Sequence, residues 1–434
     1  MVFMSKGKGL QGEAALVYRN GRSLTRADIL SRAAALAATF KAGQPAVINL
    51  CEDRYQFLIG FMAALMARCR TVLPPAPLPE VVAAVEAETA SPVRIDDAWV
   101  ERHAGDRRRQ RWAEPPSLPD DDFDAVVLYT SGSTGAHRAH LRRWHHLSKG
   151  ADLTAQALGL NRESRLNFLA TVPPQHMFGL ETTILLPLLA GQAIDANKPL
   201  FPEDVRISLE RLPRPRGLIT TPLHLRTCLS SSVLWPAVDF VLSATAPLDR
   251  ALAAEAEARL NGRVMEIYGS TETGALAVRR TSHEEAWRPL PSVTLAPDGG
   301  TWRAAGAHFP DCVLSDQIAM APSGRFELLG RDADLIKVAG KRHSLAALSS
   351  ILQSAPGVRD GVVLAPGHGL SERRLSALVV TDGERLDEVR AYLRERVDAA
   401  FMPRPIVRVE GLPRSASGKL PRQALETLLE QLES

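Results

Sequence analysis

The run Tyr129-Thr130-Ser131-Gly132-Ser133-Thr134-Gly135 gathers hydroxyls and glycines at one place. It follows Ala125-Val126-Val127-Leu128, a short apolar stretch that reads as a strand, so the chain leaves a sheet and turns through small residues. The glycines let the backbone turn and approach a ligand closely. The hydroxyls and free backbone N–H groups then face one point, which suits phosphate oxygens. Standing alone, such a run is also ordinary turn chemistry. A second run, Tyr268-Gly269-Ser270-Thr271-Glu272, occupies the same kind of position at the end of an apolar strand and adds a carboxylate.

The elements that must position these turns alternate between strand and helix. Strands are expected over 46–50, 166–170, 217–220, 240–243 and 264–268, and helices over 54–67, 179–189, 222–229 and 249–260. The alternation implies an α/β fold with mostly parallel sheets. Ligands in such folds bind beyond the carboxyl ends of the strands, where both runs lie. Past Gly330-Arg331-Asp332-Ala333-Asp334 the pattern becomes a small α+β unit, with helices over 344–352 and 384–397 and strands over 361–364, 375–380 and 406–409. Residues 1–332 are therefore expected to form a large N-terminal domain and 333–434 a small C-terminal one, long enough to fold by itself.

Bulk properties exclude several classes. The 434-residue chain is 45% hydrophobic and 23% charged, the balance of a soluble globular protein. Its net charge of +3 is too near neutral to indicate a nucleic-acid partner. The basic run Arg107-Arg108-Arg109-Gln110-Arg111 reads as a solvated loop. Cys51, Cys69, Cys228 and Cys312 are widely spread and form no C-x-x-C pair, so neither a zinc site nor a disulfide framework is expected. No apolar stretch reaches membrane-spanning length and the first eight residues lack a signal-peptide core, so a cytoplasmic location is expected.

Five motifs in one order carry a resemblance that spans the chain from about Ala15 to Arg422. The chain resembles the adenylate-forming superfamily of acyl-CoA synthetases, peptide-synthetase adenylation domains and luciferase-like ligases. The resemblance implies a large N-terminal adenylation core, a small mobile C-terminal domain, and ATP- and Mg²⁺-dependent activation of a carboxylic acid. It assigns Thr130, Ser131, Gly132, Ser133, Thr134 and Gly135 to the phosphate loop, where Arg138 replaces the usual lysine and Ala139 the usual glycine. In Pro173-Pro174-Gln175-His176-Met177-Phe178-Gly179-Leu180-Glu181, His176 would border the acyl carboxylate and gate the thiol tunnel, with Phe178 and Thr182 lining the acyl pocket. Ser243-Ala244-Thr245-Ala246-Pro247-Leu248 would pack against adenine and acyl group, narrowed because Ala244 and Thr245 replace glycines.

The same resemblance places Tyr268 against adenine, Gly269 at the acyl group, Thr271 near the α-phosphate, Glu272 on magnesium, and Asp316 and Arg331 on the ribose. Ala333 falls at the hinge, and Gly340 would pass close to a pantetheine arm after the small domain rotates. Lys419, in Pro413-Arg414-Ser415-Ala416-Ser417-Gly418-Lys419, matches the catalytic lysine that supplies positive charge during displacement. Several segments further resemble the compact aryl acid:carrier-protein ligases of aryl-polyene and xanthomonadin pigment pathways. That branch implies an aromatic, hydroxybenzoate-like acid loaded onto an acyl carrier protein or CoA. The alternatives are an aliphatic acyl-CoA synthetase and a catalytically weak nucleotide-binding relative. No G-x-x-x-x-G-K-[ST] run is present, which argues against a P-loop NTPase.

Overall fold

Short runs rich in Val, Ile and Leu, bounded by turns, build two large sheets. In the computed structural model, residues 14–41, 43–105, 118–131, 137–163, 165–331, 335–338, 341–366, 370, 374–383, 385–414, 420 and 422–433 are described. The first sheet has five strands in the order Pro92–Ile95, Ala46–Asn49, Arg70–Leu73, Asp124–Ser131, His137–Arg143. Its first four strands are parallel and the last returns antiparallel as a hairpin. The second sheet has nine strands and a parallel centre: Arg263–Ser270, Phe240–Ser243, Arg216–Thr220, Asn167–Ala170, Ala193–Asp195 and Ala15–Arg19 lie side by side. This is the mostly parallel α/β architecture that the alternation implies.

Helix Arg54–Met66 is apolar nearly all round, and such a helix must be buried. Asp53 caps it, its carboxylate accepting from the N–H groups of Tyr55 (2.8 Å) and Gln56 (3.1 Å). Its first residue, Arg54, is fully buried and donates to the carbonyls of Asp195 (2.9 Å), Asn197 (2.7 Å), Ala170 (3.2 Å) and Val172 (2.8 Å). One guanidinium thus ties together the carboxyl ends of two neighbouring strands, just before the turn that carries His176.

Three expectations shift in detail. The helix expected over 179–189 is a π turn over Leu180–Leu185 followed by an α turn over Leu186–Ala190. Pro187, at the junction, has no N–H to give to the preceding turn, which favours the wider winding. The strand expected to stop at Tyr268 runs on to Ser270, because it pairs antiparallel with Gly274–Arg279 across a bulge between Tyr268 and Gly269. The strand expected over 361–364 starts earlier, at Val358, paired antiparallel with Ser376–Thr381; Asp316, expected at the ribose, opens strand Asp316–Met320.

Residues near the C-terminus build a separate core. Leu348, Leu352, Ala377, Val379, Val389, Leu393, Phe401 and Ile406 pack together between strands Val358–Leu364, Ser376–Thr381 and Ile406–Arg408 and helices Leu345–Gln353 and Leu386–Arg396. All four cysteines are free thiols, and Cys51 and Cys69 are buried as small core residues. Among the described residues no helix is long and apolar enough to cross a membrane. The basic run 107–111, the first eight residues, the turn residues Gly132, Ser133, Thr134 and Gly135, and Ala333, Gly340 and Lys419 lie outside the described residues.

Candidate functional site

The hairpin Asp124–Ser131/His137–Arg143 brings residues of the phosphate run face to face. Thr130 is the cross-strand partner of Arg138, and Ser131 of His137. Strand geometry puts alternate side chains on one face. Arg138, His140 and Arg142 therefore point the same way, and the last two are buried while Ala139, Leu141 and Arg143 are exposed. The Thr130 hydroxyl and His140 Nε2 are hydrogen-bonded at 2.9 Å. The same imidazole nitrogen lies 3.7 Å from Glu272 Oε1. Burial pushes His140 below the usual histidine range, and although Glu272 pulls it up, Arg138 and Arg142 push it down again. Burial pushes the Glu272 carboxyl up, but its own backbone N–H, Ser270, His140 and Arg138 outweigh this and hold it below the usual range. An exposed, firmly ionised carboxylate thus faces the hairpin.

Arg142 reaches beneath this carboxylate. Its guanidinium donates to the backbone carbonyls of Glu272, Thr273 (3.5 Å) and His308 (3.0 Å). The Glu272 turn closes at Gly274, whose φ of +68° is the left-handed region that favours glycine. A Cβ on Gly274 would overlap Glu181 Oε1, and one on Gly269 would overlap the Gly274 carbonyl oxygen. Tyr268 donates its hydroxyl to Asp316 Oδ2 at 2.9 Å, and its ring packs against Trp287 and Phe326. Asp316 and Arg331 are cross-strand partners in the Asp316–Met320/Phe326–Arg331 hairpin. The residues expected at adenine and ribose are therefore neighbours. Thr271 is half-buried between Ser270 and Glu272.

His176 is half-buried and sits at the N-terminus of the short helix that opens the π turn. Phe178 is partly buried against the main core. Thr182 is fully buried, and its hydroxyl donates back to the Phe178 carbonyl at 2.6 Å, so that hydroxyl is already satisfied within its own turn. Glu181 is buried, with its carboxylate accepting from the Ala275 N–H (3.1 and 3.3 Å). Burial pushes its carboxyl up to about 7, against the opposing pull of Arg142 and the Ala275 N–H. Ser243 ends its strand with a buried hydroxyl that has no hydrogen-bond partner among the described residues, and Ala244 is buried too. Thr245 has a φ of +81°, where a β-branched residue is strained and a glycine is not. Glu266 braces the turn from below, accepting from the Leu248 N–H at 2.9 Å while paired with Arg279 at 2.8 Å.

The donor set fits a magnesium–nucleotide ligand. Mg²⁺ takes hard oxygen donors and is usually held by one or two carboxylates together with substrate phosphates. The ionised Glu272 and the Thr130 hydroxyl, both at His140, are such oxygens. Among the described residues no group of three or more His, Cys, Asp or Glu side chains forms an all-protein metal cage. Sequence reasoning missed His140, Arg142, Glu181 and His308 as parts of this region. For the first two the signal was present, since Arg138-Ala139-His140-Leu141-Arg142 alternates with the period of a strand.

Comparison with known proteins agrees with this geometry. The profile of the AMP-binding enzyme family matches residues 73–301, and that of the AMP-binding enzyme C-terminal domain matches 348–419. A 4-coumarate–CoA ligase of Rhodobacter capsulatus is 30% identical over 276 residues, covering 64% of this chain and 68% of that protein. A second, from Halorhodospira halophila, is 29% identical over 312 residues, covering 68% and 74%. The fold is similar to that of o-succinylbenzoate CoA synthetase from Bacillus subtilis in complex with its acyl-adenylate intermediate, with a TM-score of 0.79, 19% identity and 96% of each chain covered. With the family profile covering more than half its length, the chain belongs to the AMP-binding enzymes, the adenylate-forming acid–thiol ligases.

Proposed function

We propose that this protein uses ATP to adenylate a small aromatic carboxylic acid and passes the acyl group to a pantetheine thiol, of CoA or of an acyl carrier protein. The observation that carries the reading is the meeting of an ionised Glu272 with Arg138, His140 and Thr130 at the hairpin. In the first step a carboxylate oxygen of the acid attacks the α-phosphorus of ATP, and the bond to the β-phosphate oxygen breaks. Thr130, Ser131, Ser133, Thr134 and Arg138 hold the β- and γ-phosphates, in the loop to which Gly132 and Gly135 are assigned. Magnesium at Glu272 would neutralise the charge of the departing pyrophosphate. The protein's part is positioning and charge stabilisation.

Tyr268, Thr271, Asp316 and Arg331 orient the nucleoside, and Lys419 lends its ammonium to the transition state. Residues 1–332 act as the adenylation core and 333–434 as a mobile unit. That unit rotates after the first step, withdrawing Lys419 and bringing Gly340 toward the thiol. The sulfur then attacks the acyl carbonyl carbon, the carbon–oxygen bond to AMP breaks, and the thiol proton leaves to solvent. His176, Phe178, Thr182, Ser243, Ala244 and Gly269 border the acyl group. An aromatic acid is supported by the two relatives named as 4-coumarate–CoA ligases and by the side chains of Ala244 and Thr245 where the family usually has glycines.

Acid-dependent pyrophosphate exchange across a panel of aromatic and fatty acids tests the first step, and the best acids are then offered CoA and a phosphopantetheinylated carrier. Exchange with aromatic acids is expected. Exchange with none of them refutes the reading, and exchange with fatty acids alone replaces its substrate class.

A further inference from the structure

Arg142 is a buried arginine that the proposed chemistry does not use. It lies on the strand that returns from the phosphate turn, and its planar fork donates from one nitrogen to the Glu272 carbonyl and from the other to the carbonyls of His308 and, more distantly, Thr273. Three segments far apart in sequence meet at this group. They are the hairpin strand His137–Arg143, the turn after strand Arg263–Ser270, and the turn before strand Phe309–Leu314. A fourth approaches through Glu181, whose buried carboxylate is held by the Ala275 N–H and attracts the guanidinium. An ion-pairable acid at Glu181 compensates a cation that would otherwise be buried among neutral groups.

We propose that Arg142 is a positioning residue for the metal site: it fixes the peptide that carries Glu272, so that the carboxylate is presented to the metal and phosphates at the hairpin. The inference rests on the proposed function. Carbonyl oxygens pinned by a fork of N–H donors cannot rotate, and the Glu272 φ and ψ angles are thereby restricted on the side away from solvent. Arg138, His140 and Arg142 share a strand face, so the group that binds phosphate and the group that orients the metal ligand move as one rigid unit. Supporting groups of this kind set metal affinity as strongly as some direct ligands.

The test measures Mn²⁺ binding to the protein–ATP complex by electron paramagnetic resonance, with ATP binding in EDTA as a second readout. In Arg142→Met, Mn²⁺ affinity should fall about tenfold or more while ATP affinity in EDTA changes by less than about twofold. Arg142→Lys, which keeps the charge but loses the fork, should recover part of the loss. Parent-like Mn²⁺ affinity in Arg142→Met overturns the inference, as does an equal fall in both readouts, which marks a merely structural role. If Arg142→Met does not fold, Arg142→Lys decides: weakened Mn²⁺ binding with intact ATP binding supports the inference, and unchanged Mn²⁺ binding overturns it. A parent protein that binds ATP neither with Mn²⁺ nor in EDTA removes the proposed function itself, and the inference with it.

Discussion

Gly274→Ala is a severe test of the packing beneath the Glu272 turn. At φ +68° an L-residue costs about 1–2 kcal/mol relative to glycine. The added Cβ also meets Glu181 Oε1, and it comes within 3.3 Å of Glu181 Cδ and of Met177 Cε. Glu181 has little room to retreat, because it is buried and its carboxylate is tied to the Ala275 N–H. Breaking that charged hydrogen bond costs about 1–3 kcal/mol more. The sum is about 2–5 kcal/mol, or a fall in Tm of about 2–5 °C from the usual unfolding entropy per residue at this chain length. Urea denaturation of Gly274→Ala, Glu181→Ala and the double variant separates the two contributions. In the Glu181→Ala background only the backbone part should remain, about 1–2 kcal/mol. Equal costs in both backgrounds would refute the overlap with Glu181, and a cost below about 0.5 kcal/mol in the parent would refute the whole account.

Further outcomes follow from the same geometry. Burial raises Glu181 from the usual 4.5 to about 7, so folding favours its protonated form, and that favour is complete below pH 4.5 and lost as pH rises through about 7. Around it, Arg142 stays charged and His308 is neutral, its own pKa pushed down to about 4 by burial. Glu181→Gln should therefore gain on the parent by about 2–3 kcal/mol between pH 4.5 and pH 7.5, read from urea midpoints, and a constant difference would contradict this. Tyr268→Phe keeps the ring packing but loses the hydrogen bond to Asp316, so ATP affinity by calorimetry should weaken about tenfold with Tm nearly unchanged. Arg54→Met strands four carbonyls and should cost at least about 3 kcal/mol, while Arg54→Lys should not recover it, because one ammonium cannot span both strand ends. Lys419→Ala should abolish most acid-dependent pyrophosphate exchange while thioester formation from supplied acyl-adenylate survives.

Much of the frame was legible because local signals were unopposed. Phe240–Ser243 and Pro222–Leu229 carry apolar patterning, turn residues and a helix-opening proline that all point one way, and both fall where expected. Runs such as 129–135 and 268–272 are legible by themselves, and the resemblance puts Asp316 and Arg331 at one ribose. Strand register, which pairs positions 15 residues apart, is the physical reason those two are neighbours. The stretch 179–189 reads as one helix because periodicity does not report how tightly a helix is wound, and Pro187 is the clue to the π turn. Arg142 and Glu181 escaped notice for a different reason. Arg142 lies in a mostly basic strand and Glu181 in an apolar helical stretch, and only the fold places the two within one interior.

The strand after the phosphate turn has a parity that its sequence must respect. Each step of one residue between His137 and Arg142 reverses the side on which a side chain emerges. Deleting one residue there would swing two nitrogen-bearing groups out into water and bring Ala139 and Leu141 round to the Glu272 carboxylate. Relatives descended from a common ancestor can therefore trade residue types along this strand, but gain or lose positions within it only in pairs.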